Sequence, residues 1–167
     1  MENLKKILGL FLPPLNEDQT VCFEQLIPCP VDEVFPFFSD VNNLEKITPP
    51  WLNFKIVNNS SQKISMGSIF NFKLKVHGIP IQWKTEIVEW EENRKFVDVQ
   101  RIGPYLKWHH SHFFESLNGE TRMIDQIAYQ IPGGIIGKKL FLKWVKKDLE
   151  SIFLFRRQKI TEYFSNK

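Results

Sequence analysis

The segment LKWHHSHFFESLNGETRMIDQIAYQI, residues 106–131, carries the clearest fold signal in the chain. At its centre, Asn118-Gly119 is a favoured two-residue hairpin turn, because both residue types tolerate the positive φ angles that such a turn requires. A turn at this place predicts two antiparallel strands, Leu106–Leu117 and Glu120–Ile131, with the residues on either side of the turn directly paired.

The position of the turn also predicts which side chains share a face of the hairpin. Counting outward gives the cross-strand pairs Phe114 with Met123, His112 with Asp125, His110 with Ile127 and Trp108 with Tyr129. Because side chains alternate along a strand, all of these residues lie on one face. That face is mostly apolar and carries one His–Asp pair, so we expect it to be the concave side of a sheet.

Five further strands precede the hairpin, as alternating apolar and polar residues indicate. The alternation is clearest where Phe70 and Phe72 alternate with Asn71 and Lys73. Short connections join the later strands, which predicts an antiparallel, meandering sheet. The predicted strands span residues 20–27, 54–57, 68–76, 81–87 and 96–101.

Helical patterns lie on both sides of this series of strands. Two short helices are predicted over residues 31–38 and 44–47, the second ending at Thr48-Pro49-Pro50. From Ile135 onward the apolar residues follow three- and four-residue steps, which predicts a helix of roughly 28 residues and about 42 Å. Its predicted apolar positions are Phe141, Trp144, Val145, Leu149, Ile152, Phe155, Ile160 and Tyr163.

The order of elements predicts an α+β fold: one strand, two short helices, six strands and one long C-terminal helix. A seven-stranded curved antiparallel sheet closed over a single helix leaves a gap near the two short helices, where a ligand would bind. Residues 1–18 form a predicted N-terminal arm that ends in a Pro-Pro break, and residues 19–167 are expected to form one domain.

Composition limits the classes of function. Aromatic residues make up 14% of the chain, which suits a deep core or an apolar pocket. The net charge of +3 is small and the lysines are dispersed among acids, so no nucleic-acid partner is expected. No stretch approaches the ~18 apolar residues that span a bilayer, so no integral membrane association is expected.

The cysteines and the first residues bear on cellular location. Cys22 and Cys29 have neither CxxC spacing nor a nearby histidine, which favours two thiols in a reducing compartment. The apolar run Ile7–Leu12 is too short for a signal peptide and lacks a small-residue cleavage site. We therefore expect a cytoplasmic protein.

Four segments carry a resemblance to a known superfamily. They are IPCPVDEVFPFFSDVNNLEKITPPWL, HGIPIQWKTEI, FVDVQRIGPYLKWHHSHFF and TRMIDQIAYQIPGG, followed by the helix containing IFLFRRQKI. This series, from about Val21 to Phe164, resembles the START-like or helix-grip superfamily of birch-pollen allergens, START lipid-transfer domains and polyketide aromatases/cyclases. It is most similar to single-domain bacterial proteins labelled SRPBCC or cyclase/dehydrase. The resemblance implies a helix-grip fold with a ligand cavity, but the superfamily includes carriers, sensors and enzymes.

The predicted pair of His112 and Asp125, with His110 beside it, is the best candidate for chemistry. It is open to three interpretations: a structural cross-strand pair, a polar group that orients a ligand, or an acid–base dyad. A metal site is not expected, since alternating histidines without a third ligand match zinc coordination poorly. No cofactor is expected. Arg156 is interpreted as a salt bridge or cap near the helix end, with anion binding in the pocket as the alternative.

The favoured function is non-catalytic binding or carriage of an apolar small molecule, lipid-like or aromatic, between the sheet and the C-terminal helix. The alternative is an enzyme resembling polyketide cyclases or dehydratases, with His112, Asp125 and His110 as acid–base groups. A third possibility is an interaction module whose arm, Met1 to Leu12, docks on an unidentified protein partner. The predicted ligand-binding residues are Phe70, Phe72, Trp83, Trp108, His110, His112, Asp125, Tyr129, Phe141 and Trp144.

Overall fold

The computed structural model of the protein describes residues 19–58 and 63–165, and the predicted N-terminal arm lies outside these ranges. Seven strands form one antiparallel sheet. Their bounds are β1 Gln19–Ile27, β2 Lys55–Asn58, β3 Ile69–Val76, β4 Ile79–Glu91, β5 Lys95–Ile102, β6 Lys107–Leu117 and β7 Glu120–Gln130. The helices are α1 Val31–Phe38 and α2 Val41–Lys46, which follow β1, and the C-terminal α3 Gly134–Ser165.

The strand order in the sheet is β1-β7-β6-β5-β4-β3-β2. From β2 to β7, each strand therefore pairs with its neighbour in sequence, whereas the first strand, β1, pairs with the last strand, β7. This curved seven-stranded sheet, with two short helices after the first strand and one long helix, confirms the predicted α+β helix-grip fold.

The hairpin of β6 and β7 has the predicted register. Asn118 and Gly119 have φ angles of 51° and 88°, as expected for a turn in which both central residues adopt positive φ. The four predicted pairs are all present: Phe114 with Met123, His112 with Asp125, His110 with Ile127, and Trp108 with Tyr129. Local turn chemistry is thus sufficient to fix the face on which both histidines lie.

Two groups of buried apolar residues hold the sheet and helices together. The larger group joins α1 and the end of α3 to the sheet, and the smaller one joins β7 to the middle of α3. Members of the larger group include Val34, Phe35, Phe37, Phe70, Phe114, Met123, Ile160 and Phe164. The smaller consists of Ile127, Tyr129, Leu149 and Phe153. Asp40 is the N-cap of helix α2, and its carboxylate accepts a hydrogen bond from the backbone N–H of Asn42 at 2.9 Å.

Helix α3 packs on the sheet through part of its predicted face, and the prediction fails in the first half of the helix. Phe141 and Trp144, predicted to point inward, are 52% and 63% exposed. Leu149 and Ile160 are buried as predicted, and Phe153 is buried beside them. Val145, which was predicted, and Leu142, which was not, continue this inward stripe toward the helix start. The prediction for Phe141 and Trp144 is wrong because the first half of the helix is apolar on several sides, so helical periodicity does not select one face.

None of the helices within the described ranges combines the length and the apolar character needed to cross a membrane. Helix α3 is the longest, at 32 residues. Lysines interrupt its apolar residues, beginning with Lys138 and Lys139.

Candidate functional site

A cavity of about 220 Å³ lies between the concave face of the sheet and the three helices. Its wall is mostly aromatic and aliphatic. The polar side chains at the sheet side of this wall are those of Thr85, Asp98, His110 and His112. Apolar side chains from every part of the wall include those of Phe37, Leu52, Phe70, Leu74, Ile81 and Trp83.

The predicted ligand-binding residues divide into three groups by position. Six of them line the cavity: Phe70, Phe72, Trp83, Trp108, His110 and His112. Tyr129 and Asp125 are buried but are not part of the cavity wall. Phe141 and Trp144 lie on the outer surface, where the ring of Trp144 contacts that of His77 at 6.1 Å between centroids.

Four ionisable side chains meet at one wall of the cavity: Asp98, His110, His112 and Asp125, called here the His–Asp cluster. The carboxylate of Asp125 touches both imidazoles through its Oδ1 atom. It is hydrogen-bonded to Nε2 of His110 at 2.9 Å and lies 2.8 Å from Nδ1 of His112. The second contact is too bent for a hydrogen bond, and Nδ1 of His112 has no hydrogen-bond partner among the described residues. The predicted His112–Asp125 pair is therefore part of a larger group.

Asp98 lies on the opposite side of the two imidazoles, at the cavity wall. Its Oδ2 atom is hydrogen-bonded to Nε2 of His112 at 3.1 Å and lies 3.5 Å from Nδ1 of His110. Its other oxygen accepts a hydrogen bond from the hydroxyl of Thr85 at 2.9 Å. Each imidazole thus has one nitrogen facing Asp125 and the other facing Asp98.

Aromatic rings surround the His–Asp cluster and keep its surroundings apolar. Phe96 stacks on His112 with ring centroids 4.2 Å apart, and Phe153 of α3 contacts His110 at 5.8 Å. The two imidazole centroids are 3.8 Å apart. In such surroundings each charge interacts strongly with its neighbours, because little water screens it.

The pKa values of the two histidines move in opposite directions. Burial and the adjacent His112 lower the pKa of His110, although Asp125 and Asp98 oppose this change. Burial also acts to lower the pKa of His112, but its contacts with Asp125 and Asp98 outweigh burial and raise it. The imidazoles in turn lower the pKa of Asp98 and of Asp125, despite the burial of both carboxyl groups. Both acids are therefore ionised near neutral pH.

Arg156 brings a positive charge to the cavity wall. It lies within α3, which continues to Ser165, and its guanidinium sits over the ring of Phe153 at 4.8 Å. No carboxylate among the described residues lies within ion-pair distance of it, and its buried Nε has no hydrogen-bond partner there. The prediction of a helix-end salt bridge or cap is wrong, because the helix extends further and the side chain turns toward the cavity.

Sequence reasoning missed Asp98 and, with it, the third ligand whose absence was the reason for excluding a metal. One potential ligand atom each from Asp98, His110 and His112 lies within 4.8 Å of the others. The sequence did contain a signal for Asp98. Asp98 is two residues from the apolar Phe96, so the two side chains lie on the same face of β5. In the structure Phe96 pairs with His112 and Asp98 pairs with His110.

Comparison with known proteins agrees with this architecture. A family model described as polyketide cyclase / dehydrase and lipid transport matches residues 27–153. No curated protein sequence matches the chain significantly.

Several solved structures are similar in fold. The Zhui aromatase/cyclase from Streptomyces sp. R1128 has a TM-score of 0.71 and 12% identity, with 89% of this chain and 94% of that chain covered. The ginseng major latex-like protein 151 from Panax ginseng has a TM-score of 0.67 and 13% identity, with 89% and 99% covered. TTHA0849 from Thermus thermophilus has a TM-score of 0.59 and 19% identity, with 85% and 97% covered.

Proposed function

The chain belongs to the polyketide cyclase / dehydrase and lipid transport family, and from this premise we propose that it binds or carries an apolar small molecule. The ligand occupies the cavity between the sheet and α3. The observation that supports this most is the composition of the wall, which is mainly aromatic and aliphatic and carries few polar side chains, with the His–Asp cluster on the sheet side. Ligand sites in proteins commonly have this composition, in which apolar surface provides affinity and a few polar groups provide orientation.

The dimensions of the cavity favour a compact ligand. Its volume of about 220 Å³ is below the roughly 300–1,000 Å³ of most small-molecule sites. Trp83 and Trp108 meet edge to face at 5.1 Å and offer flat surfaces to an aromatic ring or a short aliphatic chain. A polar group on the ligand would face the His–Asp cluster or Arg156, and this contact would set the orientation of the bound ligand.

We also place this activity in the cytoplasm. Cys22 is exposed, Cys29 is buried, and neither is in a disulfide. Free thiols are typical of reducing compartments.

Binding of the neutral fluorophore 1-N-phenylnaphthylamine tests the proposal. Energy transfer from Trp83 and Trp108 should quench tryptophan emission as the fluorophore enters the cavity. Leu74→Asp places a charge on the cavity wall and should weaken binding at least tenfold, because burying an unpaired carboxylate beside an apolar ligand is costly. Ile69→Asp is the matched control, since Ile69 is on the same strand, does not line the cavity and is 44% exposed.

Both variants must show cooperative thermal unfolding, so that weaker binding is not a consequence of a lost fold. Saturable binding by wild type, with equal affinity in Leu74→Asp and Ile69→Asp, would contradict the placement of the ligand in this cavity.

An acid–base enzyme is the second candidate, because His110 and His112 line the cavity directly. Imidazoles held against carboxylates are suited to moving protons during cyclisation or dehydration of a carbonyl compound. An aromatic β-hydroxy ketone is a simple substrate for detecting dehydration. Turnover by wild type that is lost in His112→Gln, while fluorophore binding is retained, would favour this candidate over a carrier.

A further inference from the structure

The cavity side of the His–Asp cluster has three ligand atoms of the kind that bind transition metals. Oδ2 of Asp98 lies 3.1 Å from Nε2 of His112 and 3.5 Å from Nδ1 of His110. Adjacent ligand atoms around an ion with bonds of ~2.0–2.2 Å are themselves about 3.0–3.5 Å apart in tetrahedral or octahedral coordination. These two spacings fall in this range, and one ligand atom from each of the three residues lies within 4.8 Å of the others, which is close enough to surround one ion.

The other nitrogen of each imidazole faces the carboxylate of Asp125, on the side of the two rings away from Asp98. Asp125 Oδ1 lies 2.9 Å from Nε2 of His110 and 2.8 Å from Nδ1 of His112. Metal-binding histidines commonly contact a carboxylate in this way, which fixes the tautomer so that the opposite nitrogen presents its lone pair to the metal. Asp125 favours a proton on Nε2 of His110, which leaves Nδ1 of His110 for an ion. At His112 an ion would replace the hydrogen bond between Nε2 and Asp98, and the proton would move to Nδ1, which lies 2.8 Å from Asp125 Oδ1 and has no hydrogen-bond partner among the described residues.

The support extends to Asp98 as well. The hydroxyl of Thr85 donates to Oδ1 of Asp98 at 2.9 Å and also to the backbone oxygen of Val99 at 3.1 Å. These contacts orient the carboxylate so that Oδ2 faces the two imidazoles. All three ligand residues are thus held in place by neighbouring polar groups or by packing.

Charge balance favours a divalent ion at this position. The cluster buries two carboxylates, and buried charge is costly unless it is compensated. A divalent cation bound with both imidazoles neutral would balance Asp98 and Asp125 together. Arg156 also lines the cavity. With the two carboxylates neutralised by the ion, its guanidinium could bind a ligand instead of compensating their charge.

From these contacts we infer that Asp98, His110 and His112 bind a divalent first-row transition metal ion, with Asp125 and Thr85 as supporting residues. Two imidazoles and one carboxylate form a set that suits zinc or iron and leaves positions open. The open positions face the cavity, where a water molecule or an oxygen atom of a bound molecule would complete the coordination. The site goes beyond the proposed carriage of an apolar ligand, which requires no metal.

Isothermal titration calorimetry of EDTA-treated protein with ZnCl₂ tests the inference. Wild type should bind one equivalent saturably, and the melting temperature should rise with zinc concentration. Asp98→Asn and His112→Gln should abolish this binding. Asp125→Asn and Thr85→Val should weaken it by about 10–100-fold, the usual effect of removing a supporting contact.

His109→Gln is the matched control, because His109 is on the same strand but on the face opposite to His110 and His112. Binding should be unchanged in this variant and in Cys22→Ser. Cobalt binding by the same variants gives an independent absorption signal. If His112→Gln fails to fold, the milder Thr85→Val still reports on the site.

Failure to bind one equivalent of zinc, or equal affinity in wild type, Thr85→Val and Asp125→Asn, would overturn the inference. Loss of binding in His109→Gln or Cys22→Ser would assign the ion to the surface and overturn it too. Fluorophore binding measured on the same EDTA-treated protein keeps this outcome separate from that of the proposed function.

Discussion

The two halves of α3 are both rich in apolar residues, yet they lie in different environments. Residues 134–147 include exposed Ile136, Leu140 and Trp144, at 73%, 60% and 63% exposure. Residues 148–165 instead bury Phe153 and Ile160 in the two core groups. The difference shows that apolar content alone does not place a helix on a sheet. What lies beneath each half decides which side chains are buried.

Hydrogen bonds strengthen this contrast. The second half is fixed to β1, because the side-chain amide of Gln25 donates to the backbone oxygen of Arg157 at 3.1 Å and to Thr161 Oγ1 at 3.0 Å. In return, the guanidinium of Arg157 donates to the backbone oxygen of Glu24 at 2.7 Å. We therefore expect most of the stabilisation that α3 provides to come from its second half.

Truncation after Lys147 should have the largest effect. The shortened chain loses the side chains that bridge both core groups, and each large buried side chain contributes roughly 1.5–3 kcal/mol. Several such losses equal the ~5–15 kcal/mol net stability of a typical domain. Circular dichroism during heating should show no cooperative transition. A truncated chain that unfolds cooperatively would show that the second half is dispensable.

Ile160→Ala should have the next largest effect. Ile160 is 2% exposed and belongs to the larger core group. Such a substitution typically costs about 2–5 kcal/mol, through lost burial and the cavity that remains. Urea denaturation measures the loss. A cost below about 1 kcal/mol would mean that this part of the helix packs loosely.

Trp144→Ala sharpens the comparison from the other half. Because Trp144 is 63% exposed, its removal should change the free energy of unfolding by no more than about 0.5 kcal/mol. Affinity for 1-N-phenylnaphthylamine should also stay the same, since Trp144 does not line the cavity. A loss as large as that of Ile160→Ala would restore the predicted inward orientation of Trp144.

Glu24→Gln should have the smallest effect, because it changes only an exposed side chain. The backbone oxygen of Glu24, which accepts the hydrogen bond from Arg157, is unaffected. Hydrogen bonds from Arg122, at 2.7 and 2.9 Å, lower the pKa of Glu24. The resulting stabilisation is present above the unfolded pKa and is lost as pH falls through the folded pKa. Melting temperatures of wild type and variant should thus differ slightly at neutral pH and converge in acid.

High salt should also reduce the difference between the two melting temperatures. A difference that persists in acid would assign it to something other than this ion pair.

The sheet was predictable from sequence because its signals are local. Alternation marked the strands, and Asn118-Gly119 fixed the register that brings His112 opposite Asp125. The inward face of α3 was predictable in the second half, where Leu149 and Ile160 are buried as predicted. It was not predictable in the first half, which is apolar on several sides, so that Phe141 and Trp144 were placed inward although they are exposed.

Asp98 was missed because its position depends on two strand connections rather than one. The pairing of β5 with β6 ends at Val99–His109, so their connection is longer than the two-residue turn between β6 and β7. A longer connection does not fix the register of its strands as a two-residue turn does. Three members of the His–Asp cluster, His110, His112 and Asp125, thus followed from local pattern, while Asp98 required the assembled sheet.

The pairing of β1 with β7 has a consequence for how the protein is made. Synthesis proceeds from the N-terminus, so β1 leaves the ribosome long before β7, which pairs with it from Ile27–Thr121 to Gln19–Tyr129. During that interval the hydrogen-bonding groups of β1 lack this partner, and the pairing that adds β1 to the edge of the sheet joins residues far apart in sequence. Such late, long-range pairing slows folding. The nascent chain therefore exposes an unpaired strand edge for most of its elongation, and this is the stage at which a chaperone would protect it from aggregation.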